Sequence, residues 1–518
     1  MPMQSANSLP EPLFAADAVR EMDRYLINNR CVDGFELMQS AARSAFRQLL
    51  KRWPNPKSLL VLCGAGNNGG DGYLIAASAH RHGIQATCLA ISSTGKLSGD
   101  ARRAFERASA EGVSVHDIGG LAPSVLEERL AAAGLVVDAL LGTGVTGAPR
   151  EPFAAVIRAV NALTATPVLA VDVPSGLNAT TGHAEGEVIR ADLTVTFIGA
   201  KAGLYTGIGA GVCGQVVLDT LVPAEQLAGA RATPLAGRQT WLNCRHWVPV
   251  RPRNAHKGRF GHVLVVAGDR GFGGAGILAA EAASRSGAGL VSLATRPEHV
   301  APALDRCPSI MVHGVIHGSE LPPLLARADV VVCGPGLGQS AWGQQMLQQV
   351  LQSHCLRVLD ADALNLMAAR AVQPSQRHIL TPHPGEAARL LGCDVPTVES
   401  DRLAAARKLQ KLWGGVVLLK GAGTVVAAPG ALPVIVDGGN PGMATGGMGD
   451  VLSGMIGALT AQLDNAADAT ILAAAAHVQA ADLASEQKGY MGLLPLDVID
   501  TLPRVYQSAE ALGSREEV

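Results

Sequence analysis

One stretch constrains the fold more than any other: Gly438-Gly439-Asn440-Pro441-Gly442-Met443-Ala444-Thr445-Gly446-Gly447-Met448-Gly449-Asp450, running straight into VLSGMIGALTAQL. Its glycines let backbone N–H groups approach an anion closely, and the helix that follows adds a partial positive charge at its start. A turn of this kind can cradle a phosphate. Asp450 sits where loop becomes helix, and a carboxylate repels a phosphate. Either it takes a proton from a hydroxyl while the nest stabilises charge on a moving phosphoryl group, or it is a helix N-cap after a flexible turn.

The chain has 518 residues, which is long for one core and predicts more than one domain. Lys plus Arg is 42 against 44 Asp plus Glu, so no global charge points to nucleic acid or an anionic membrane. The 60 glycines and 3% aromatics suit an α/β enzyme with many tight strand-to-helix turns and argue against base-stacking platforms. The nine cysteines are scattered without a CxxC pair, which predicts reduced thiols and a cytoplasmic setting. No basic segment followed by an apolar core opens the chain. The longest apolar run, ILAAAAHVQAADLA, is short and interrupted by His477, and predicts a buried helix.

The first half begins with two helical patterns, 15–30 and 34–53. A short apolar strand, Leu59–Cys63, then runs into GAGNNGGDG and a further helix. This is the strand–loop–helix geometry of a nucleotide-binding α/β fold, without a true GxGxxG or a downstream ribose acid. The Asn67 and Asn68 amides suit a cation or a ligand carbonyl, unless the loop is only an Asn/Gly turn. Two more strands end at Asp138, before the loop Gly142–Ala148, and at Asp172, before Pro174-Ser175-Gly176. Ligands of open α/β sheets gather at such strand ends. Asn68, Asp138, Asp172 and Ser175 at these ends offer hard oxygens of modest charge, suited to a monovalent cation or Mg²⁺ rather than zinc. Lys201 follows a later strand; it pairs with Asp172 for proton transfer, or it is a solvated surface lysine.

Character changes over 222–258, which carries several Arg and Pro and no sustained periodicity and places a domain boundary near 223–240; WLNCRHWVP reads as a short strand or an ordered linker. His256 and Lys257 form a basic pair that reads as solvated rather than phosphate-binding. Repeated βα units follow, with polar residues at each strand end, and predict a mostly parallel sheet with helices on its faces. Lys420-Gly421-Ala422-Gly423-Thr424 can steady nucleotide phosphates. Glu386 either reaches a Mg²⁺-bound water or is the start-of-helix acid of AARLLG. His383 either touches an acceptor substrate or is structural, and Asp360 and Asp362 read as loop caps.

GAGNNGGDG, DALLGTG and DVPSG together resemble the NAD(P)HX epimerase family, over roughly residues 10–222. GNPGMATGGMGDVLSG resembles the GxGD signature of the ribokinase-like superfamily, and more narrowly its ADP-dependent NAD(P)HX dehydratase branch. GGAGILAAEAASRSGAGLV, GPGLG, LTPHPGE and KGAGT stand in the order of that branch, over about residues 245–510. The resemblance implies a Rossmann-like three-layer domain at 1–222, a linker at 223–244 and a ribokinase-like α/β domain at 245–518. It implies that the first interconverts the R and S hydrates of NADH and NADPH (NADHX and NADPHX). The second then dehydrates the S form with ADP, releasing AMP and phosphate. In the epimerase, Asn67, Asn68, Gly69, Gly70, Asp71, Gly142, Thr143, Gly144, Val145, Thr146, Gly147, Ala148 and Asp172 would contact substrate. Asn68, Asp138 and Ser175 would hold K⁺, and Asp172, with Lys201, would move protons. In the dehydratase, Ala275, Gly338, His383 and Asp450 would contact the hydrate, and Lys420, Gly421, Ala422, Gly423, Thr424 and Gly449 the nucleotide, with Mg²⁺. A homo-oligomer is expected.

Three rivals remain at this level. A ribokinase-like small-molecule kinase with an N-terminal ligand-binding domain would leave a stable phosphorylated product. A purely binding role for the N-terminal domain would leave Asp172 idle. A Rossmann dehydrogenase would need the missing GxGxxG.

Overall fold

The computed structural model describes residues 11–30, 32–118, 123–144, 147–227, 229–370 and 372–513. Val145 and Thr146 of the second glycine loop lie outside them. The chain divides into two compact units, Pro12–Ala236 and the chain from Gly237 onward.

A short strand, β1 (Glu11–Leu13), leads in. The sheet of the N-terminal unit is built from β2 (Ser58–Cys63), β3 (Gln85–Ala90), β4 (Ser114–Asp117), β5 (Leu135–Ala139), β6 (Val168–Val171), β7 (Leu193–Phe197) and β8 (Gln215–Asp219). Their order is β4-β3-β2-β5-β6-β7-β8, all parallel. The central strands SLLVLC, LVVDA and VLAV are nearly continuous apolar runs because both sheet faces are covered. Alternation along β2 sorts the two cores. Leu59, Val61 and Cys63 pack with the helices Ala16–Arg30, Gly34–Arg52 and Asn67–Arg81. Leu60 and Leu62 pack with Pro123–Ala131 and Phe153–Asn161. This is the three-layer arrangement expected from sequence. β2 lies between β3 and β5, so the order reverses there and opens a crevice at the carboxyl ends of β2 and β5.

The C-terminal unit contains β9 (Ala236–Gln239), β10 (His262–Val266), β11 (Leu290–Thr295), β12 (Met311–Gly314), β13 (Val330–Cys333), β14 (Leu356–Leu359), β15 (His378–Leu380), β16 (Val416–Leu419), β17 (Thr424–Ala427) and β18 (Val434–Val436). They run β9-β18-β17-β16-β15-β14-β13-β10-β11-β12, parallel except for the pairs β16–β17 and β17–β18. The order reverses at β10, between β11 and β13. Val263 and Val265 pack against the helices Gly273–Arg285, Met448–Thr460 and Ala466–Lys488. The last of these buries Ala473–Ala476 and His477, as the Ala-rich run predicts. No described helix is long and apolar enough to cross a membrane.

Within 223–244 lie a helical turn (Ala224–Leu227), β9 and a second helical turn (Trp241–Cys244) whose Trp241 and Cys244 are buried. WLNCRHWVP is therefore helical turns and not a strand. His256 and Lys257 are exposed, in keeping with the solvated reading.

Candidate active sites

In the N-terminal unit the glycine loop after β2 closes directly into the helix Asn67–Arg81. A Cβ on Gly69 would sit on the Gly64 carbonyl oxygen, so this turn requires glycine. Asn68 reaches across the crevice, its Nδ2 donating to Leu141 O at 3.0 Å. The fully buried Asp138 accepts from Ser175 Oγ (2.6 Å) and Leu140 N on Oδ1, and from Ser175 N (2.8 Å) on Oδ2. Leu141 N donates to Ser175 Oγ at 2.9 Å. Asn68, Asp138 and Ser175, far apart in sequence, thus converge on the backbone of residues 140–141. Burial pushes the Asp138 carboxyl up to about 6, and Asn68 Oδ1 is buried without a hydrogen-bond partner among the described residues.

Asp172 stands at the end of β6 with φ 66°, a left-handed backbone that costs a non-glycine residue strain and marks functional sites. Its Oδ1 accepts from Lys201 Nζ, from Thr196 Oγ1 (3.1 Å) and from Phe197 N (3.3 Å). Lys201 also donates to Thr196 Oγ1 and Phe197 O, and is 1% exposed. The solvated reading of Lys201 is overturned: a buried ammonium needs this cage of acceptors. Two more carboxyls face the pair. Asp71 is buried with Oδ1 unpartnered, and desolvation, then Asp172 and Asp23, push its pKa well up. Asp23, on the helix Ala16–Arg30, is pushed up to about 6 by burial, with Asp172 adding and Lys201 opposing. Sequence reasoning missed Asp23. One acid among the polar positions of an amphipathic helix carries no signal until the fold turns it toward Lys201. Gly142 and Thr143 are partly buried, with Thr143 O held by Arg20 at 2.9 Å; Gly144, Gly147 and Ala148 are exposed, as is Asn67.

In the C-terminal unit the glycine loop ends at Gly447, the actual N-cap of the helix Met448–Thr460. Its φ is 96°, and a Cβ there would meet Pro495 and Leu278 at 2.8 and 2.9 Å. Asp450 is the third residue of the helix, so the capping alternative falls to Gly447. Burial pushes Asp450 up to about 7, with Asp360 and Asp362 adding and Lys420 opposing. A carboxylate with that value is matched to taking a proton near neutrality. Lys420, at the end of β16, is one-fifth exposed, and its Nζ lies 2.6 Å from Asp360 Oδ1 and 3.9 Å from Glu386 Oε2. A Cβ on Gly449 would lie 3.3 Å from that ammonium, so the glycine keeps the approach open.

The loop after Lys420 is fixed from below by Arg402, buried and donating to the carbonyls of Leu419 (3.3 Å) and Lys420 (2.9 Å). Gly421 and Gly423 have φ 139° and 62°, and Thr424 Oγ1 closes the turn onto Gly421 O. On the other side, Gly338 (φ 67°) donates its N–H to Asp362 Oδ2 at 2.9 Å. Ala275 opens the helix Gly273–Arg285 next to Gly336. His383 is a helix N-cap, its Nδ1 accepting from Gly385 N; burial, Lys420 and Arg389 hold it below the usual histidine range. Glu386 is buried and accepts from His383 N at 2.8 Å, so it is the helix-start acid while also facing Lys420. Asp360 is not a loop cap: it is 1% exposed and takes Lys420 on one oxygen and Ser453 Oγ (2.6 Å) on the other, whereas Asp362 holds the N–H of the Gly338 loop.

Two folded halves, each with a charged pair at its strand ends, define a pair of α/β enzymes in one chain. Family models agree with that division. The YjeF-related protein N-terminus matches residues 34–203, and NAD(P)H-hydrate dehydratase matches residues 263–504. The bifunctional NAD(P)H-hydrate repair enzyme Nnr of Coxiella burnetii is 43% identical over 95% of this chain and 98% of its own. That of Escherichia coli K12 is 45% identical over 96% and 94%. The chain belongs to the bifunctional NAD(P)H-hydrate repair enzymes. A crystal structure of the ADP/ATP-dependent NAD(P)H-hydrate dehydratase of Bacillus subtilis, with ATP and Mg²⁺, is 30% identical and covers 53% of this chain and 99% of its own, with a TM-score of 0.49.

Proposed function

We propose that the N-terminal unit interconverts R- and S-NAD(P)HX and that the C-terminal unit dehydrates the S form with ADP. The observation that carries the second step is Asp450, shifted toward neutrality in the first turn of a glycine-led helix, beside the Lys420 ammonium. In this reading Asp450 takes the proton of the carbinol hydroxyl as its oxygen attacks the terminal phosphorus of ADP. Lys420, the loop Gly421–Thr424 and the N–H groups at the helix start, Gly449 included, hold the phosphates and stabilise their charge. AMP leaves. Phosphate is then a far better leaving group than hydroxide, and the ring nitrogen pushes it out as a C–H proton is lost, giving NAD(P)H. Ala275, Gly338 and His383 line the hydrate side. Mg²⁺ fits here as a nucleotide-borne ion, with the buried Glu386 carboxylate to hold its waters; it would neutralise phosphate charge. Among the described residues no group of three His, Cys, Asp or Glu side chains could hold a metal alone.

Epimerising a carbinol carbon beside a ring nitrogen needs a proton acceptor and donor, not a redox partner. Asp172, aimed by Lys201 and Thr196, supplies that function, and Asn67–Asp71 and Gly142–Ala148 bind the dinucleotide. K⁺ fits the Asn68–Asp138–Ser175 cluster: the unpartnered Asn68 oxygen and the single buried Asp138 carboxyl suit a weakly charged, oxygen-liking ion, which would order the crevice loops. The proposed setting is cytoplasmic, consistent with buried free thiols such as Cys213 and Cys333. The proposed assembly is a homo-oligomer, for which exposed Tyr490, Met491 and Leu494 offer apolar surface; sedimentation measures it.

Purified protein given mixed R- and S-NADHX, Mg²⁺ and K⁺, with ADP or ATP in parallel, tests the reading. Complete NADH recovery with stoichiometric AMP and phosphate from ADP is expected. A stable phosphorylated product without NADH would instead make the C-terminal unit a small-molecule kinase.

A further inference from the structure

Asp360 and Asp362 flank one residue, Ala361, whose backbone is left-handed (φ 47°, ψ −117°). The turn sends the two carboxylates to opposite halves of the C-terminal site. Asp360 binds Lys420 Nζ (2.6 Å) with one oxygen and Ser453 Oγ (2.6 Å) with the other. Ser453 lies one turn after Asp450 on the same helix, and its hydroxyl also meets Gly449 O at 2.9 Å. Asp362 binds the Gly338 N–H at 2.9 Å, and so fixes the loop after β13. Asp360 is 1% exposed, so it meets the ligand only through the groups it holds.

We propose that the Asp360-Ala361-Asp362 turn is the positioning element of the dehydratase site. Asp360 holds the phosphate lysine and the base-bearing helix from behind, and Asp362 holds the hydrate-side loop. The inference rests on the dehydratase reading of this site. Its physical core is a buried negative charge shared between a lysine and a helix. Asp450 faces Asp360, Asp362 and Lys420. Lys420 faces Asp360, Glu386 and Asp450, and His383 and His477 feel its charge. Beyond burial itself, the Asp360 carboxylate raises the proton affinity of Asp450 and the Lys420 ammonium lowers it.

The test separates charge from packing. Asp360→Asn keeps the shape and removes the charge. It should lower the Asp450 titration by roughly 1 pH unit, seen as the acid limb of dehydration kcat/KM. The same shift should appear in the carboxyl infrared band of Asp450, taken as the difference against Asp450→Asn. kcat should fall about tenfold or more, with the KM for ADP within about threefold. Ser453→Ala keeps the charge, and should lower kcat while leaving the acid limb in place. Asp362→Asn should raise the KM for the hydrate about tenfold and leave that for ADP. Should Asp360→Asn fail to fold, Asp360→Asn/Lys420→Met removes both charges together. Its Asp450 band should titrate below that of Lys420→Met alone. An unmoved Asp450 titration in Asp360→Asn or, should that variant not fold, in Asp360→Asn/Lys420→Met compared with Lys420→Met, overturns the proposal. The infrared titration needs no turnover: a wild type without ADP-driven dehydration sinks the functional reading, and the titration still decides the positioning claim.

Discussion

Two aspartate–lysine pairs sit at strand ends in the two units, and they are built in opposite senses. In the N-terminal unit Lys201 is 1% exposed and Asp172 17%. In the C-terminal unit Asp360 is 1% exposed and Lys420 20%. In the proposed function the outward member is the one the chemistry needs. Proton transfer at a carbinol needs a carboxylate at the crevice, with the ammonium behind it to hold it in place. Binding a phosphoryl group needs the ammonium outward, with a carboxylate behind to hold it in place. A buried pair adds little net stability, so its orientation is better read as an assignment of function.

The comparison breaks most visibly in the C-terminal unit. Asp450→Asn should reduce dehydration by roughly 10³-fold or more and leave epimerisation intact, measured as NADH release and as epimer ratio by chromatography. Asp172→Asn should slow R-to-S conversion by about 10²-fold, with S-hydrate dehydration unchanged in the same assay. Equal losses of both activities in either variant would mean that the two pairs are not separate devices.

Much of this was legible beforehand. Strand ends at Asp138, Asp172 and Lys420 follow from apolar runs stopping at polar residues, and Gly438–Asp450 announced its helix start. What was not legible is pairing across distance. Lys201 stayed open between a partner of Asp172 and a surface lysine because nothing local says that Thr196 and Asp172 enclose it. Asp360 looked like a cap because Lys420 and Ser453 lie 60 and 93 residues away. Asp23 gave no sign at all, since its neighbours in the site come from other elements.

Smaller effects sharpen the comparison. Lys201→Met should destabilise the N-terminal unit by roughly 1–3 kcal/mol in urea unfolding, since Asp172 keeps the Thr196 hydroxyl and the Phe197 amide. Asp450 offers a pH test with a definite sign. Its folded value of about 7 lies above the ordinary 3.8, so the folded state holds the proton more tightly. That contribution to stability is present at low pH and is lost as pH rises toward 7. Asp450→Asn should therefore raise Tm relative to wild type more at pH 8 than at pH 5, by calorimetry. The smallest effect is expected at Asn68: Asn68→Ala should weaken activation of epimerisation by K⁺ several-fold, read from rate against K⁺ concentration.

The most direct measurement follows each epimer separately in Asp450→Asn with ADP, Mg²⁺ and K⁺, starting from pure R-NADHX. The account predicts that R and S converge on one ratio while no NADH and no AMP appear, and that adding Asp172→Asn to the same chain halts the convergence. NADH release from Asp450→Asn, or convergence undiminished in the double variant, would contradict it.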